Sequence, residues 1–369
     1  MCREVDFIGK HAHEQISLHT IFFGGGTPSL LNPDQFERIL SGIRASFDLA
    51  PDSEVTIEAN PGTCSLQALK ELRRLGINRL SLGVQSANSE ELHMLERNHD
   101  FFDVIEAVSW ARKAGFKNVN LDLIYGLPGQ SLNTWKNTLM SALELNPDHI
   151  SAYALTLEHG TPFGQWSKRG MIPLPDPDLA ADMYEWASEK LTSAGFQQYE
   201  ISNWSRPGLE CRHNLQYWRG LPYLGVGAGA HGYANGYRYS NVLRIKSYID
   251  RLTEPGNPGT EFPLTPAVVN HHRQSRQDDM SEMMMTGLRL TREGISPVKF
   301  REAFDCDLKE TYSVEINELI KNGLLEWVHP EKEYIFASDS ESELSRAPIV
   351  LRLTTRGRLL GNQVFMRFV

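Results

Sequence analysis

The chain has 369 residues, of which 41% are hydrophobic and 22% are charged, a composition typical of a globular protein with a large core. Its 37 Lys and Arg residues are outnumbered by 46 Asp and Glu residues, and the net charge of −9 argues against a nucleic-acid partner. No apolar run approaches the roughly 20 residues that span a bilayer, and the N-terminal residues lack the apolar core of a signal peptide. We therefore expect a cytoplasmic protein without a transmembrane segment.

Short β-branched or aromatic runs alternate with amphipathic stretches from Thr20 to Trp204. The predicted strands are Thr20–Phe23, Val55–Glu58, Arg79–Val84, Asn118–Ile124, His149–Leu157 and Gln197–Ser202. The predicted helices are Asp34–Phe47, Leu66–Leu75, Phe101–Ala114, Leu132–Leu145 and Leu179–Ala194. Gly76, Gly115 and Gly195 each follow the last periodic residue of a helix, as a C′ glycine does. This rhythm predicts parallel βαβ units in a partial or full (β/α) barrel, with an open doubly wound sheet as the competing architecture.

Polar residues recur where the predicted strands end. The glycines Gly24–Gly26 follow the first strand and let backbone N–H groups approach a ligand without a Cβ in the way. The polar residues at the other strand ends are Glu58, Gln85, Asp122, Thr156 and Glu200. The carboxyl ends of parallel strands gather at one rim of a barrel, where ligand sites are built. We therefore expect a polar ligand across this rim, although each residue singly also has an ordinary structural interpretation.

The rhythm stops in the Tyr233–Pro266 stretch, and a second unit is predicted beyond it. Pro255–Gly259 is typical of a turn-rich linker. The elements predicted after it are helices at Asp278–Leu290, Val298–Phe304 and Tyr312–Asn322, a β-hairpin of Leu324–His329 and Ile349–Leu353 around a polar segment at Ser338–Arg346, and a last helix at Thr355–Phe368. The methionines of the first of these helices are expected to pack in the core. Helices followed by a two-stranded wing are typical of a winged-helix module.

The four cysteines, Cys2, Cys64, Cys211 and Cys306, are far apart in the sequence, and no CxxC pair is present. A disulfide framework is not expected in so large a chain with so few cysteines. A thiolate-held iron–sulfur cluster normally needs closely spaced cysteines, and the sequence as given has none.

Seven motifs have an order and spacing that can be compared with known families. They are Thr20–Ser29 (TIFFGGGTPS), Glu58–Pro61 (EANP), Gly83–Ser86 (GVQS), Arg97–His99 (RNH), Asn120–Gln130 (NLDLIYGLPGQ), His213–Trp218 (HNLQYW) and Leu353–Arg358 (LTTRGR). Together they resemble the radical S-adenosylmethionine (SAM) superfamily, in the branch of oxygen-independent coproporphyrinogen III oxidase and the HemW heme chaperones. The His213–Trp218 motif resembles the H-N-x-x-Y-W motif of the HemW branch rather than the true oxidase. The resemblance covers essentially the whole chain.

The resemblance implies a SAM site. The matching residues are Gly25, Gly26, Thr27, Glu58, Gln85, Arg97, Asp122 and Thr156. The glycine loop would lie against the methionine end of SAM, and the other residues would contact its amino-acid and ribose portions. The chemistry suits these roles, since the Arg97 guanidinium offers a bidentate fork to a carboxylate and acidic residues such as Asp122 bind ribose hydroxyls.

The same resemblance implies a heme or porphyrin site on the His213–Trp218 motif. His213 is the candidate for contact with heme iron, because imidazole is a normal axial ligand. Tyr217 and Trp218 offer aromatic area to a porphyrin face. The alternative is that His213 is a core histidine, hydrogen-bonded near Cys211.

The chain departs from the family in its N-terminal region. Family members carry a C-x3-C-x2-C loop that holds a [4Fe-4S] cluster, at which SAM is cleaved to a 5′-deoxyadenosyl radical. That loop is missing from the sequence as given, and Cys2 falls in the helix that follows it in the family. The resemblance thus implies a barrel that lacks its first strand and its cluster loop, with no metal ligands and no radical chemistry expected of this chain.

The implied architecture is a partial (β/α)6 radical-SAM barrel at residues 1–235, a linker at 236–265 and a C-terminal helical, winged-helix-like domain at 266–369. The implied function is that of a heme-binding chaperone that delivers heme to acceptor proteins. The alternative is a coproporphyrinogen III oxidase-like enzyme of porphyrin biosynthesis, which would share the SAM-site residues. A third possibility, a sugar-metabolising TIM barrel, would need a phosphate site near the last strands.

Overall fold

The computed structural model describes residues 1–157, 162–253, 261–329 and 349–369. Strands and helices alternate over the first two hundred residues. The strands are β1 Ser17–Phe23, β2 Asp48–Ala59, β3 Arg79–Gln85, β4 Asn118–Tyr125, β5 His149–Ala154, β6 Gln197–Glu200 and β7 Asn203–Ser205. The helices are α1 Cys2–His11, α2 Pro33–Ser46, α3 Leu66–Arg74, α4 Ser89–Met94, α5 Phe101–Lys113, α6 Leu132–Glu144, α7 Pro162–Lys168 and α8 Pro177–Ser193. The predicted strand–helix rhythm is confirmed.

The seven strands form one sheet in the order β1-β2-β3-β4-β5-β7-β6. The first five strands are parallel and lie in chain order, without the reversal of order that marks a doubly wound sheet. The result is a curled, open half-barrel with β1 and β6 at its edges, as the predicted partial barrel requires. The strand predicted at Gln197–Ser202 is present as β6, Gln197–Glu200, but the sequence did not predict β7, which lies between β6 and β5. The chain reverses there, and β7 pairs antiparallel with both β5 and β6.

The two faces of the sheet differ in chemistry. The outer face packs against the helices through buried apolar side chains, among them Ile57, Leu80, Leu82, Val119, Leu121, Leu123 and Ile150. Successive side chains of each strand point alternately to the outer and the inner face. Those on the inner face are buried and polar, among them Glu54, Thr56, Arg79, Ser81, Asn120, His149 and Ser151. Strands of buried parallel sheets are usually apolar on both sides. A polar inner face therefore makes the concave side of the half-barrel the candidate functional side.

Local signals in the sequence explain where the helices begin and end. The Asn32 side chain accepts from the backbone N–H of Gln35 and forms a capping box at the start of α2. At the other ends, Gly76, Gly115 and Gly195 have φ angles of 102°, 90° and 83°. These left-handed conformations are those of C′ glycines, so the three predicted helix ends are confirmed.

Beyond the half-barrel the chain forms α9 Arg212–Trp218 and a three-stranded antiparallel sheet. Its strands are β8 His231–Ala234, β9 Tyr237–Asn241 and β10 Val268–Arg273, with α10 Ile245–Thr253 between the last two. The range 236–265, interpreted from the sequence as a linker, thus contains β9 and α10. The turn-rich Pro255–Gly259 lies outside the described residues.

The C-terminal part has its own hydrophobic core. Its elements are α11 Arg276–Gly287, α12 Pro297–Phe304, α13 Leu308–Thr311, α14 Ser313–Lys321, β11 Leu325–Val328, β12 Val350–Leu353, α15 Thr355–Leu359 and α16 Gly361–Phe365. Met280 and Met284 are buried in this core, and β11 pairs antiparallel with β12, as predicted. The expected single last helix is two short helices that meet at Leu360. The predicted polar segment Ser338–Arg346 lies outside the described residues, and in the described part no helix is long and apolar enough to cross a membrane.

Candidate functional site

The glycine loop after β1 and the end of β2 meet at one rim of the half-barrel. The backbone N–H of Gly25 donates a hydrogen bond to Oε2 of Glu58 at 3.0 Å. Gly25 and Gly26 have φ angles of 78° and 59°, and a Cβ on either would have no atom within 4 Å. Glycine provides this conformation without strain and leaves one side of the loop open to a ligand. Thr27 follows directly and precedes the short 3-10 turn Pro28–Leu30.

Glu58 sits in an environment that disfavours its charge. Burial raises the pKa of the Glu58 carboxyl, and the neighbouring Asp122 carboxylate acts in the same direction. The Gly25 N–H and the Arg79 guanidinium lower it in part. A cationic ligand would relieve the repulsion between these two acidic groups at one rim. SAM is such a ligand, because it carries a sulfonium and an ammonium group.

Asp122 is fixed by a hydrogen-bond network on the inner face of the sheet. Its Oδ2 accepts from Ser81 Oγ at 2.8 Å and its Oδ1 accepts from Asn120 Nδ2 at 2.8 Å. Asn120 also bonds Ser81 at 2.6 Å, and its Oδ1 lies 2.6 Å from Nδ1 of His149. These bonds hold the carboxylate in one orientation, which pre-organises it for binding.

Gln85 ends β3 in a backbone conformation that is rare for a residue with a side chain. Its φ angle is 67°, and only 9% of its surface is exposed. Its Nε2 lies 3.1 Å from the place where a Cβ on Gly83 would be, so a side chain at 83 would be in tight contact with the Gln85 amide. Strained conformations of this kind gather at ligand sites, which agrees with the role predicted for Gln85.

Arg97 and Thr156 are not brought into contact with these residues. Arg97 is exposed in the segment after α4, and its side chain makes no hydrogen bond to any residue of the described ranges. Thr156 is exposed in the segment after β5. Their predicted contacts with SAM stay predictions.

The inner face also holds an ionic group that the sequence did not single out. Arg79 is 3% exposed, and its Nε has no hydrogen-bond partner among the described residues. Burial acts to lower the pKa of Arg79, but nearby acidic groups, Cys211, Glu54 and Tyr199, outweigh it and raise that pKa. Arg79 thus supplies positive charge to a region that holds several acidic groups. The signal that could have identified it is the alternation of polar residues within strands, Arg79-x-Ser81 in β3 and Asn118-x-Asn120-x-Asp122 in β4.

Helix α9, which carries the His213–Trp218 motif, lies across the concave side of the half-barrel. His213 Nδ1 is 2.9 Å from Thr20 Oγ1 in the edge strand β1. Asn214 Nδ2 donates to the Tyr199 hydroxyl in the opposite edge strand, β6, at 3.2 Å. Glu54 of β2 accepts the backbone N–H groups at the start of α9. The helix therefore bridges the two edges of the open sheet.

His213 is partly buried, and both of its ring nitrogens and one face of its ring are in contact with neighbours. Its Nε2 lies 2.9 Å from the Tyr217 hydroxyl, and its ring stacks on Phe22 with a centroid distance of 5.1 Å. Burial lowers the pKa of His213 to about 4, so the imidazole is neutral at pH 7. A neutral imidazole is the form that binds iron, but in this arrangement both ring nitrogens are hydrogen-bonded. His213 does not offer heme a free nitrogen unless one of these bonds opens.

The two aromatic residues predicted for heme lie at the end of α9. The ring of Tyr217 packs edge-on against Tyr223 at 4.6 Å, and burial raises its pKa to about 12, so its hydroxyl is protonated. The Arg289 guanidinium lies 4.3 Å from the ring centroid of Trp218, whose Nε1 is buried without a partner in the described part of the chain. An unpaired buried donor of this kind is uncommon.

The cysteines do not form a cluster site. Burial raises the pKa values of Cys64 and Cys211 to about 12, which disfavours the thiolates that bind iron. All four cysteines are free, and the described residues include no group of three or more His, Cys, Asp or Glu side chains able to hold a metal ion. The described residues therefore do not fit a [4Fe-4S] cluster.

Comparison with known proteins places the chain in a family. Residues 3–142 match the radical SAM superfamily, and residues 274–327 match the HemN C-terminal domain. Heme chaperone HemW of Lactococcus lactis is 37% identical over 95% of this chain and 85% of its own length. Heme chaperone HemW of Bacillus subtilis is 37% identical over 96% of this chain and 86% of its own length.

The fold of the chain is also similar to that of a solved structure. Coproporphyrinogen III oxidase (HemN) from Escherichia coli, a radical SAM enzyme, matches with a TM-score of 0.78 at 25% identity. The match covers 100% of this chain and 81% of the oxidase. Together with relatives that align over nearly the whole sequence, this shows that the chain belongs to the HemW family of the radical SAM superfamily.

Proposed function

We propose that this chain binds heme in the cytoplasm and hands it to acceptor proteins. His213, Tyr217 and Trp218 would contact the heme, and SAM would bind at the rim formed by the glycine loop, Glu58 and Asp122. One observation carries the proposal. The three residues of the HemW-type motif lie on one short helix, α9, which bridges the two edges of a sheet whose concave face is polar.

The proposed SAM site has the features that a small cationic nucleoside ligand needs. The loop at Gly25 and Gly26 leaves space on one side, so its backbone can approach the ligand closely. The Glu58 and Asp122 carboxylates attract the positive charge of SAM. Because Ser81 and Asn120 hold the Asp122 carboxylate, its orientation does not have to be fixed at the moment of binding.

The proposed heme site combines a neutral imidazole with aromatic surface. His213 stays neutral at pH 7 because burial lowers its pKa, and neutral imidazole is the form that coordinates iron. Tyr217 and Trp218 add aromatic area beside it, and the buried Nε1 of Trp218 is an unpaired donor for a polar edge of the porphyrin. The relatives of this family carry the name heme chaperone, and delivery to an acceptor would require that the heme can leave.

A second candidate is an enzyme that acts on coproporphyrinogen III. The observation that favours it is the HemN match, which covers the whole chain at a TM-score of 0.78. The shared rim residues do not discriminate between the two functions. The His213–Trp218 motif favours the chaperone.

A heme titration tests the proposal. We expect purified protein to bind hemin with a Soret shift typical of histidine ligation, and His213→Ala to lose that shift and to bind at least tenfold more weakly. His231→Ala is the matched control, because it removes an exposed imidazole from β8 and leaves α9 intact. Unchanged affinity and spectrum in His213→Ala would contradict the assignment of His213. Formation of protoporphyrinogen IX from coproporphyrinogen III, with no heme binding, would favour the enzyme.

A further inference from the structure

The Tyr217 hydroxyl is hydrogen-bonded to one of the two ring nitrogens of His213. The two residues are four positions apart on α9 and so share one face of the helix, and Nε2 of His213 lies 2.9 Å from the Tyr217 hydroxyl. Nδ1 lies 2.9 Å from Thr20 Oγ1. We propose that Tyr217 is a latch on His213: it holds Nε2 in the heme-free protein and must swing away before Nε2 can bind iron, while Thr20 keeps Nδ1. This inference rests on the proposed heme-binding function and concerns the positioning of its iron ligand.

The two hydrogen bonds differ in how easily they open. Thr20 belongs to β1, where its backbone is in register with Glu54 of β2. Moving the Thr20 backbone would therefore disturb the sheet, and the β-branched side chain has restricted rotation about χ1. Tyr217 lies in the last turn of a seven-residue helix, and within the described ranges its hydroxyl has His213 as its hydrogen-bond partner. Rotation of Tyr217 costs that one bond and the edge contacts of its ring with Tyr223 and His213.

The surroundings of the imidazole favour release of Nε2 without loss of ring orientation. Phe22 stacks on the His213 ring at an interplanar angle of 19°. The Thr20 hydroxyl holds the far nitrogen, as the outer partners of metal-binding histidines commonly do. When Tyr217 moves, the imidazole is thus still held on one face and at Nδ1. Tyr217 is a positioning residue in this scheme.

The latch should raise the apparent Kd for heme by a measurable factor. If the competent state, with Nε2 free, is only a fraction of the heme-free population, the apparent Kd rises by the inverse of that fraction. A hydrogen bond of ordinary net strength corresponds to a factor of about 2 to 12. Tyr217→Phe removes the latch and keeps the ring, so we expect it to bind hemin about 2- to 12-fold more tightly, with a higher association rate constant.

Thr20→Val should have the opposite effect. It keeps the shape of the side chain and removes the hydroxyl that holds Nδ1. Loss of an outer partner of a histidine ligand typically weakens metal affinity about tenfold or more, so we expect weaker hemin binding and a changed Soret position. Thr20→Ser retains the hydroxyl and should restore both to those of the unchanged protein.

The test is a hemin titration with stopped-flow kinetics on the unchanged chain, Tyr217→Phe, Thr20→Val, Thr20→Ser and His213→Ala. Tyr237→Phe is the control for loss of a tyrosine hydroxyl, since its partner is Glu261 and not His213. Thermal unfolding of each variant separates a change in binding from a change in folding. Opposite shifts in Tyr217→Phe and Thr20→Val, with no shift in Tyr237→Phe, support the latch.

Two results would overturn the latch, and they are distinguishable. If His213→Ala loses heme affinity but Tyr217→Phe binds no more tightly than the unchanged chain, His213 is a ligand and Tyr217 is not a latch. If His213→Ala keeps both affinity and spectrum, the assignment of His213 in the proposed function fails, and the latch fails with it.

Discussion

The backbone N–H of His213 donates a hydrogen bond to Oε1 of Glu54 over 3.0 Å, and the N–H of Arg212 donates to Oε2 over 2.9 Å. The backbone N–H groups at the start of α9 are thus bound by a carboxylate of β2 and not by a capping side chain of their own segment. The helix that carries the candidate heme residues is therefore positioned by the sheet, through a contact between residues 159 positions apart.

Glu54→Gln tests how far this carboxylate fixes α9. Charge-assisted hydrogen bonds to the free N–H groups of a helix are stronger than neutral ones, and the nearby Arg79 loses an acidic neighbour. We expect the free energy of unfolding to fall by about 1–3 kcal/mol, measured by urea denaturation. Glu37→Gln, at an exposed position of α2, should change it by less than about 0.5 kcal/mol. Equal effects of the two substitutions would contradict the role assigned to Glu54.

Gly25→Ala and Gly42→Ala should shift stability in opposite directions. Gly25 has a φ of 78°, where a side chain costs about 1–2 kcal/mol. Gly42 lies inside α2, and a Cβ there would have no atom within 4 Å, so alanine should stabilise the helix by about 0.5–1 kcal/mol. Gly25→Ala also places a methyl group on the loop that faces the proposed ligand. We expect it to weaken SAM binding in equilibrium dialysis, while Gly42→Ala leaves SAM binding unchanged.

Glu58→Gln should make the protein more stable at neutral pH. Burial raises the pKa of Glu58 above its usual 4.5, so the folded protein holds this proton more tightly than the unfolded chain. The stability that the group contributes is therefore complete below about pH 4.5 and is lost as the pH rises through the folded-state pKa. Glutamine cannot ionise and can still accept the Gly25 N–H.

Urea denaturation at pH 4, 5.5 and 7 measures this effect. Glu58→Gln should match the unchanged protein at pH 4 and exceed its free energy of unfolding at pH 7. SAM affinity should fall at the same time, because the ligand loses a carboxylate partner. A variant that is less stable than the unchanged chain at pH 7 would mean that the ionised carboxylate stabilises the fold. Glu37→Gln should leave the pH profile unchanged.

The sequence offered signals for the rim of the candidate site but few for its interior. Gly25, Glu58 and Gln85 lie at or directly after the ends of strands, and strand ends are visible as changes of composition. Ser81, Asn120 and His149 lie inside strands, where their direction depends on which face of the sheet is concave. Which face is concave depends on the curling of the whole sheet. The only local signal in the sequence is the alternation of polar and apolar residues along each strand.

The missed elements have equally physical causes. Strand β7 has three residues, Asn203–Ser205, too few for any periodicity. Strand β10 contains Asn270, two histidines and Arg273, residues that a half-buried strand rarely carries. The position of α9 depends on contacts such as Thr20 with His213, which are 193 residues apart. The motif on α9 could be identified from sequence, but the partners of its imidazole could not.

Arg289→Met should destabilise the junction between the half-barrel and the C-terminal part. Glu200 at the end of β6 is fully buried, and Arg289 Nη2 lies 3.4 Å from its Oε2. Removing the guanidinium leaves the carboxylate buried without this counter-charge, which typically costs about 3–5 kcal/mol. The substitution also removes the cation over Trp218. Arg219→Met breaks a more exposed ion pair, with Glu293, and should cost about 0–1 kcal/mol. In the double variant Glu200→Gln, Arg289→Met no buried charge is left unpaired, so the larger loss of unfolding free energy expected of Arg289→Met should disappear. If urea denaturation gives Arg289→Met and Arg219→Met the same loss of unfolding free energy, the Arg289–Glu200 contact does not hold the two parts together.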